Sequence, residues 1–314
     1  MVYPEIDLSQ VKTYSILKRK SRVEVKKLAK VLSGRATVQE LLEGLPKILK
    51  AQDFNFLIDR LIAARRKKKA IVVMLGAHVI KCGLSPLIVD LMKKGFVNHL
   101  ALNGAGAIHD LELAYWGKTS EEVESGLKTG RFGMARETAV KFNSCSVLAS
   151  NQKIGLGEAV GVKLLSDRAK YSRHSLLLAA YKLQIPATVH VALGTDIVHQ
   201  HPNFRADLTG EASFRDFKIL AHSLRNLNKG GVVLNLGSAV ILPEVFLKAL
   251  SVTRNVYGKI ENFTTANFDM YLHYRPLVNI VQRPTIKSGY GLNFVGHHEI
   301  MIPLLAAALK SRAR

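Results

Sequence analysis

The sequence predicts an α/β protein built on a doubly wound, mostly parallel sheet. Residues 71–76 (IVVMLG) and 231–237 (GVVLNLG) are short apolar runs that contain terminal glycines, and stretches with helical spacing alternate with them. Strands that are buried on both faces have such continuous apolar runs, and strands that alternate with helices form parallel sheets. A chain of 314 residues, 48% of them hydrophobic, is long enough to bury the core of this fold.

Two further apolar runs predict two more strands, over residues 97–103 (VNHLALN) and 187–194 (ATVHVALG). The helix expected over residues 85–95 begins with a capping serine followed by proline, and it ends at a glycine. Another helix is expected over residues 105–116. The order of these elements is that of repeated strand and helix units.

The first part of the chain differs from the rest because it contains helical patterns and no apolar strand. Residues 38–49 and 54–62 place apolar side chains three and four positions apart, which indicates helices. We therefore expect a helical N-terminal extension, residues 1–65, that packs on the core. Residues 66–314 are expected to form a single Rossmann-like α/β domain.

The net charge of +21, from 45 Lys and Arg against 24 Asp and Glu, would suit a polyanionic partner. The basic residues are dispersed and no nucleic-acid-binding motif accompanies them, so nucleic acid is not the favoured partner. The chain has no run of 18 apolar residues and no signal-peptide pattern at its start. We expect a cytoplasmic protein with no membrane partner. The two cysteines, Cys82 and Cys145, are too far apart to indicate a disulfide framework.

Glycines at four predicted strand ends indicate a nucleotide site. They are Gly76, Gly104 with Gly106, Gly194 and Gly237. In doubly wound sheets, ligands bind beyond the carboxyl ends of the strands, where glycine lets the backbone approach closely and helix N-termini present free N–H groups. None of these segments has the full G-x-G-x-x-G fingerprint, and a glycine after a strand is also an ordinary turn residue.

Polar side chains follow the same strand ends. Thr195 and Asp196 come directly after the third, where the carboxylate could hold ribose hydroxyls or a cationic group, with helix capping as the alternative. His199 and His201 follow, and His298 stands beside Glu299 near the C-terminus. Two histidines and a carboxylate can bind a transition metal, so a metal-dependent hydrolase using His199, His201 and Glu299 is one alternative. No third ligand is fixed by spacing, and we predict no metal.

In order over most of residues 55–310, the sequence resembles the deoxyhypusine synthase family, in particular its bacterial relatives. The matching segments are residues 75–88, 103–110 (NGAGAIHD), 179–196, 237–239 (GSA) and 264–269 (TTANFD). Members of this family bind NAD on a sheet related to that of the sirtuins, oxidise spermidine, and transfer its aminobutyl group through a lysine imine. They are tetramers, so the resemblance implies a homo-oligomer, either a dimer or a tetramer.

The resemblance implies NAD as the cofactor and a set of residues that contact it. These residues are Gly76, Asn103, Gly104, Ala105, Gly106, Asp110, Thr195, Asp196, Gly237, Ser238, Thr265 and Asp269. Asp196 and Asp269 are expected to hold ribose hydroxyls. The candidate proton carriers are His109, His199, His298 and Glu299. The candidate imine former is Lys287.

One departure from the family concerns the substrate. Residues 270–287 (MYLHYRPLVNIVQRPTIK) contain no acid, whereas the family has acids here that hold the cationic polyamine. Arg275 and Arg283 stand in this segment instead and suggest an anionic substrate. We therefore expect an NAD-dependent transferase or oxidoreductase that acts on an amine or another small substrate, and not authentic deoxyhypusine synthesis. A nucleotide-binding protein without enzymatic activity, associated with nucleic acid, is the other alternative.

Overall fold

A computed structural model describes residues 1–313 of the chain and contains one sheet of six parallel strands in the order β3-β2-β1-β4-β5-β6. The strands are β1 (Ile71–Leu75), β2 (His99–Asn103), β3 (Ala187–His190), β4 (Val232–Leu236), β5 (Thr264–Asp269) and β6 (Tyr290–Val295). The predicted doubly wound parallel sheet is confirmed. From β1 the chain adds β2 and β3 on one side of the sheet, and it then adds β4, β5 and β6 on the other side. β1 and β4 are therefore neighbours at the point where the strand order reverses direction.

Helices cover both faces of this sheet. In chain order they are α1 (Val38–Gly44), α2 (Leu49–Arg66), α3 (Ala77–Lys81), α4 (Ser85–Lys93), α5 (Gly104–Trp116), α6 (Val123–Lys128), α7 (Arg136–Gln152), α8 (Leu156–Ser166), α9 (Leu176–Lys182), α10 (Ala206–Leu224), α11 (Ile241–Tyr257), α12 (Tyr274–Pro276) and α13 (His298–Arg312). α12 is a single turn that continues into a π-helix, Leu277–Gln282. Among the described residues, no helix has both the length and the apolar character needed to cross a membrane.

The two faces of the sheet form two separate cores. Alternate residues of β1 point to opposite sides, so that Val73 and Leu75 join one core while Val72 and Met74 join the other. The first core also contains apolar residues of α2, α5, α8 and α13, and the second contains residues of α10 and α11. All five residues of β1 are buried, as its continuous apolar run predicts.

The N-terminal part of the chain is helical only from Val38 onward. Residues 1–37 form three short 3₁₀ turns and no α-helix, and none of their side chains is buried. Short helices without a packed apolar face are marginal in water, which explains why the helical extension expected over residues 1–65 is not helical in its first 37 residues. α1 and α2 occupy the two predicted helical segments, and α2 contributes Phe54 and Leu61 to the first core. The domain boundary at residue 65 stays a prediction.

Some local expectations differ from the structure. β3 ends at His190, four residues before the expected end, and the chain then turns toward α5. β5 and β6 were not predicted from their patterns, because polar and small residues interrupt the apolar runs. The cap of α4 is Leu84, and the serine predicted to cap it is the first helical residue, with a buried hydroxyl that has no partner.

The backbones of β1 and β4 approach closely where these two strands end. The Gly76 N–H donates to the carbonyl of Leu236 at 2.9 Å. A Cβ built on Gly76 would lie 2.0 Å from the carbonyl oxygen of Gly237, so any other residue must push the two loops apart. Gly76, the glycine predicted after β1, is therefore required by its contact with the loop after β4.

Replacing Gly76 with alanine is expected to destabilise the fold by about 1–3 kcal/mol, because the added methyl group overlaps a backbone carbonyl. The matched control is Gly210→Ala in α10, where no atom lies within 4 Å of the added Cβ. The control should stabilise the protein by roughly 0.5–1 kcal/mol, since alanine is the better helix former. Urea denaturation measures both changes. Equal effects of the two substitutions would contradict this account of the β1–β4 contact.

Candidate functional site

Four buried polar atoms without a hydrogen-bond partner lie at the carboxyl edge of the sheet, where all six parallel strands end. They are Asp196 Oδ2, His199 Nε2, Asp269 Oδ2 and His298 Nδ1. An unsatisfied buried polar group costs roughly 1–3 kcal/mol, and native structures keep few of them. Their position at the edge where ligands of doubly wound sheets bind identifies a candidate ligand site.

Asp196 follows β3 and packs against the first residue of α5. A Cβ on Gly104 would lie 1.9 Å from Asp196 Oδ2, so glycine at this position makes room for the carboxylate. Burial raises the pKa of the Asp196 carboxyl to about 6, although an interaction with the backbone N–H of Ala105 opposes the change. Asp196 precedes a short 3₁₀ helix, Ile197–Gln200, but capping does not account for an Oδ2 that has no partner.

His199 faces the same carboxylate. Its Nδ1 accepts hydrogen bonds from the backbone N–H groups of Gly194 and Asp196, at 3.1 and 3.2 Å. Burial lowers the pKa of His199, so the ring is neutral and its proton is on Nε2. The Nε2 atom lies 3.9 Å from Asp196 Oδ2, which is too far for a hydrogen bond between them. A ligand hydroxyl placed between the two atoms would satisfy both.

A second pair of partnerless atoms lies at the end of β5 and the start of α13. Asp269 Oδ1 accepts the N–H of Met270 at 2.8 Å, and its Oδ2 has no partner. His298 is 1% exposed, and its ring centroid lies 5.9 Å from that of His78. Burial lowers the pKa of His298, with the charge of Asp269 acting in the opposite direction. Gly237, whose φ is +70°, leaves room for this ring, since a Cβ there would lie 2.6 Å from His298 Nε2.

Three other residues predicted to contact the cofactor lie at this edge, but their side chains already have backbone partners. Asn103 Oδ1 accepts the N–H of Gly106 at 2.9 Å and caps α5. The Ser238 hydroxyl accepts a backbone N–H of α11 at 3.2 Å, and the Thr195 hydroxyl donates to a carbonyl of its own turn at 2.7 Å. Because the Ser238 hydroxyl is the acceptor in its hydrogen bond with α11, its own proton remains free for another acceptor.

The structure assigns purely structural contacts to Asp110 and Thr265, which corrects their predicted role in cofactor binding. Asp110 is fully buried and accepts hydrogen bonds from the Ser175 hydroxyl and from two backbone N–H groups at the start of α9. The Thr265 hydroxyl donates to the carbonyl of Ile280 at 2.6 Å. Thr265 lies four residues before the end of β5, about 13 Å from the carboxyl edge. Neither side chain is free to contact a ligand.

Lys287, the predicted imine former, does not reach the carboxyl edge. It is exposed in the segment before β6, and therefore lies near the opposite edge of the sheet, where the strands begin. It lines a cavity with Arg254 and Glu261, away from the partnerless atoms. The family position of the lysine was matched with a shift of a few residues, and the segment that carries it here turns to the other side of the sheet.

The residues of the alternative metal site are not brought together. His201 Nε2 contacts the carbonyl oxygen of Gly133 at 2.8 Å, while His199 faces Asp196. Glu299 is exposed, 3.7 Å from the Cys82 sulfur. Within residues 1–313, no group of three or more His, Cys, Asp or Glu side chains could hold a metal ion. The hydrolase alternative, which needs His199, His201 and Glu299 around one metal, is therefore wrong.

A cavity of about 260 Å³ lies beside the first turns of α5. Its lining includes four predicted site residues, Ala105, His109, Thr195 and Asp196, together with Lys81 and Glu112. Lys81 and Glu112 are not among the site residues predicted from the sequence. The spacing of three residues between His109 and Glu112, which places both on one face of a helix, was the signal that could have found the latter.

Large apolar side chains are exposed near the strand ends at the carboxyl edge. They come from five of the loops and helix starts at the carboxyl edge: Leu193, Val240, Tyr271, Leu272, Val295 and Ile300. Single apolar residues on a surface need no explanation, but a group of them around one cleft is typical of an interaction surface. We call this group the apolar rim.

Comparison with solved structures shows the same fold in several proteins. AgrE, in a ternary complex with ornithine and NAD⁺, matches at a TM-score of 0.54 and 16% identity, over 83% of this chain and 33% of AgrE. A conserved protein of Methanococcus maripaludis S2, provisionally assigned to LOR/SDH, matches at a TM-score of 0.53 and 16% identity, over 84% of this chain and 71% of that protein. An Entamoeba histolytica protein provisionally assigned as a deoxyhypusine synthase matches at a TM-score of 0.54 and 11% identity, over 89% of this chain and 95% of that protein.

The chain spans about a third of the length of AgrE and of ArgZ, an arginine dihydrolase of cyanobacteria that matches at a TM-score of 0.52. No family model and no curated protein matches the sequence. At these identities the likeness concerns the fold alone. It confirms the fold expected from the resemblance to the deoxyhypusine synthase family.

Asp196→Asn is expected to stabilise the protein near neutral pH. The folded-state pKa of Asp196 is about 6, above its ordinary value of 3.8, so the folded protein binds the proton more tightly than the unfolded chain does. The stability from this protonation is fully present below about pH 4 and is lost as pH rises through 6. The variant avoids that loss and should gain on the order of 2 kcal/mol over the native protein between pH 4 and 7.

Urea denaturation at both pH values tests this expectation. The control is Asp207→Asn, because Asp207 is exposed and bonded to Arg205, which lowers the pKa of its carboxyl. The control should show no gain at pH 7. A stability difference between Asp196→Asn and the native protein that does not change with pH would contradict the assignment of a buried, partnerless carboxylate.

Proposed function

We propose that the chain is an NAD-dependent enzyme of the deoxyhypusine synthase-like type, acting on a small amine or another small substrate at the carboxyl edge. The observation that carries the proposal is the pair of carboxylate oxygens without partners, Asp196 Oδ2 and Asp269 Oδ2, on opposite sides of the β1–β4 switch point. Ribose hydroxyls are donors that a buried carboxylate can accept from, and a dinucleotide has one ribose in each half.

The spacing of these carboxylates fits a ligand that lies across the switch point. Asp196 packs on Gly104 at the end of β2, and Asp269 ends β5. These strands are three positions apart in the sheet, about 14 Å at the usual strand separation. A ligand that touches both must cross the point where Gly76 and Gly237 meet, which is where dinucleotides bind in sheets of this strand order.

Two helix N-termini at the carboxyl edge could hold the phosphates of NAD, those of α5 and α11. In the first turn of α5, Asn103 occupies the N–H of Gly106 and the Asp196 carboxylate lies against Gly104, so a phosphate there would face a negative charge. α11 offers the better position, because the turn of Gly237 and Ser238 leads into a helix of 17 residues whose N-terminus attracts anions. The hydroxyl proton of Ser238 is available to a phosphate oxygen.

The likeness to AgrE supports the cofactor assignment, since AgrE has been seen with NAD⁺ bound and shares this fold. When bound, NAD accepts a hydride from the carbon that is oxidised. His298, kept neutral by burial and without a partner at Nδ1, is a further polar group that a ligand at this edge can contact.

Residues 270–287 lack the acids that hold the polyamine in the deoxyhypusine synthase family, and the carboxyl edge lacks the lysine that aminobutyl transfer would require. Arg275 lies 3.4 Å from Glu244, and Arg283 donates to Asn279, so both arginines have partners within the protein. Neither arginine therefore indicates an anionic substrate. With Lys287 near the opposite edge, an imine to this lysine does not form in the cleft. Oxidation of a small amine or alcohol fits these groups better than transfer through a lysine.

The apolar rim supports the expected homo-oligomer. A cleft surrounded by exposed apolar residues from several loops is incomplete in one chain, and a second copy placed over the rim would exclude water from the reacting groups. We include a dimer or tetramer in the proposal for this reason. The cytoplasmic location and a partnership with nucleic acid rest on the sequence alone.

The proposed function predicts that NAD stabilises the protein. NAD at about one hundred times its dissociation constant should raise the free energy of unfolding by roughly 2.7 kcal/mol. Asp196→Asn and Asp269→Asn should each weaken NAD binding about 10- to 100-fold, because each removes one charged acceptor for a ribose hydroxyl. Thermal unfolding with and without NAD measures the increase, which is compared within each variant because Asp196→Asn also changes the stability of the free protein.

Asp207→Asn is the control and should keep the full increase, since its carboxylate is exposed and already bonded to Arg205. If millimolar NAD gives no increase in the native protein, the proposed function is wrong. If NAD binds and both site variants bind it as tightly as the native protein does, the cofactor assignment stands but its position at these carboxylates does not.

A second prediction concerns the rim. The double substitution Tyr271→Ser and Leu272→Ser should convert the native oligomer to a smaller species, since both side chains are more than half exposed in the single chain and would lie in the interface. Sedimentation equilibrium measures the mass of each species. A native protein that remains monomeric at tens of micromolar would contradict the oligomer proposal, as would an oligomer that the two substitutions leave unchanged.

A further inference from the structure

His109, Thr119 and Glu112 form a chain of hydrogen bonds beside the 260 Å³ cavity, and Thr138 also contacts Glu112. His109 Nδ1 lies 2.6 Å from the hydroxyl oxygen of Thr119. That hydroxyl lies 2.5 Å from Glu112 Oε2, and the hydroxyl of Thr138 lies 2.8 Å from Glu112 Oε1. The four side chains belong to α5, the loop after it and α7, so they are held together by different parts of the fold.

The direction of these hydrogen bonds follows from the charge of Glu112. Burial opposes ionisation of this carboxyl, but contacts with His109, Thr119 and Thr138 outweigh burial and lower its pKa. An ionised carboxylate only accepts hydrogen bonds, so Thr119 must donate its single hydroxyl proton to Glu112. Thr119 can then only accept from His109, and the His109 proton must be on Nδ1.

This direction leaves His109 Nε2 as the acceptor. The His109 ring lines the cavity, and within residues 1–313 its Nε2 makes no hydrogen bond. The other charged or titratable groups that line the cavity are Lys81 from α3, Glu121 from the loop after α5, and Asp196 from the loop after β3. Glu121 Oε1 already accepts the N–H of Gly133 at 2.8 Å.

We propose that His109 is the proton acceptor of this cavity, and that Thr119 and Glu112 are positioning residues that hold it in the Nδ1–H form. The ligand class is a small molecule with a hydroxyl or amine on a carbon that carries hydrogen. The substrate O–H or N–H bond breaks, its electron pair stays on the substrate atom, and the proton forms a bond to His109 Nε2. The resulting imidazolium lies 3.8 Å from Glu112, measured from Nδ1 to Oε2.

The chemistry rests on the proposed function, because the same oxidation transfers a hydride from that carbon to NAD⁺ and leaves a C=O or C=N bond. The hydrogen-bond direction does not depend on it. A small cavity suits this role, since about 260 Å³ is below the roughly 300–1,000 Å³ of pockets that hold drug-sized ligands. Only a small substrate, or part of a larger ligand, fits beside His109.

The test is the NMR signature of the His109 ring in the full-length protein without NAD, with ¹³C- and ¹⁵N-labelled histidine. His109→Gln identifies the signal by its loss. The native protein should show the Nδ1–H tautomer. In Glu112→Gln, the new amide donates to Thr119, Thr119 then donates to His109, and the tautomer should switch to Nε2–H. In Thr119→Val the preference should disappear, and Thr119→Ser should restore it.

Thr129→Val is the matched control, because the hydroxyl of Thr129 is exposed and contacts only backbone carbonyls of its own helix. It should leave the His109 signal unchanged, and thermal unfolding confirms that each variant is folded. An Nε2–H tautomer in the native protein would overturn the proposal. So would a tautomer that is the same in Glu112→Gln and Thr119→Val as in the native protein. Because NAD is absent, neither result bears on NAD binding, which the thermal unfolding measurements test separately.

Discussion

The arrangement of the site depends on the contact of two backbones at the centre of the sheet. Gly76 follows β1 and Gly237 follows β4, and their main chains are too close for a side chain at Gly76. This contact brings the two halves of the sheet together where the winding reverses, and the loops from each half then face one cleft. Gly104 repeats the same principle at the end of β2, where the absence of a side chain admits the Asp196 carboxylate.

The polar groups of the cleft lower the stability of the free protein, because burial without a hydrogen-bond partner is unfavourable. Asp196, His199, Asp269 and His298 are buried with polar atoms that no protein group satisfies. Asp110, another buried aspartate, accepts three hydrogen bonds and holds the start of α9. The two aspartates that stay open lie where doubly wound sheets bind their ligands, and a ligand there would complete their hydrogen bonds.

The sequence was sufficient for the parts of the fold that local chemistry determines. The apolar runs located β1, β2 and β4, and glycines marked their ends, because a buried parallel strand needs both features. β6 escaped detection since its residues, YGLNFV, mix polar and apolar types at a sheet edge. Sites assembled from distant segments were harder: Thr265 and Lys287 matched a family pattern but face other parts of the protein, and Thr119 reaches His109 only through the folded loop.

The most direct test of the central claim is a crystal structure of the protein grown with NAD. The account predicts a dinucleotide across the ends of β1 and β4, with ribose hydroxyls within hydrogen-bond distance of Asp196 Oδ2 and Asp269 Oδ2. It also predicts phosphates near the turn of Gly237 and Ser238. A structure in which NAD at saturating concentration is absent, or lies away from both carboxylates, would contradict the account.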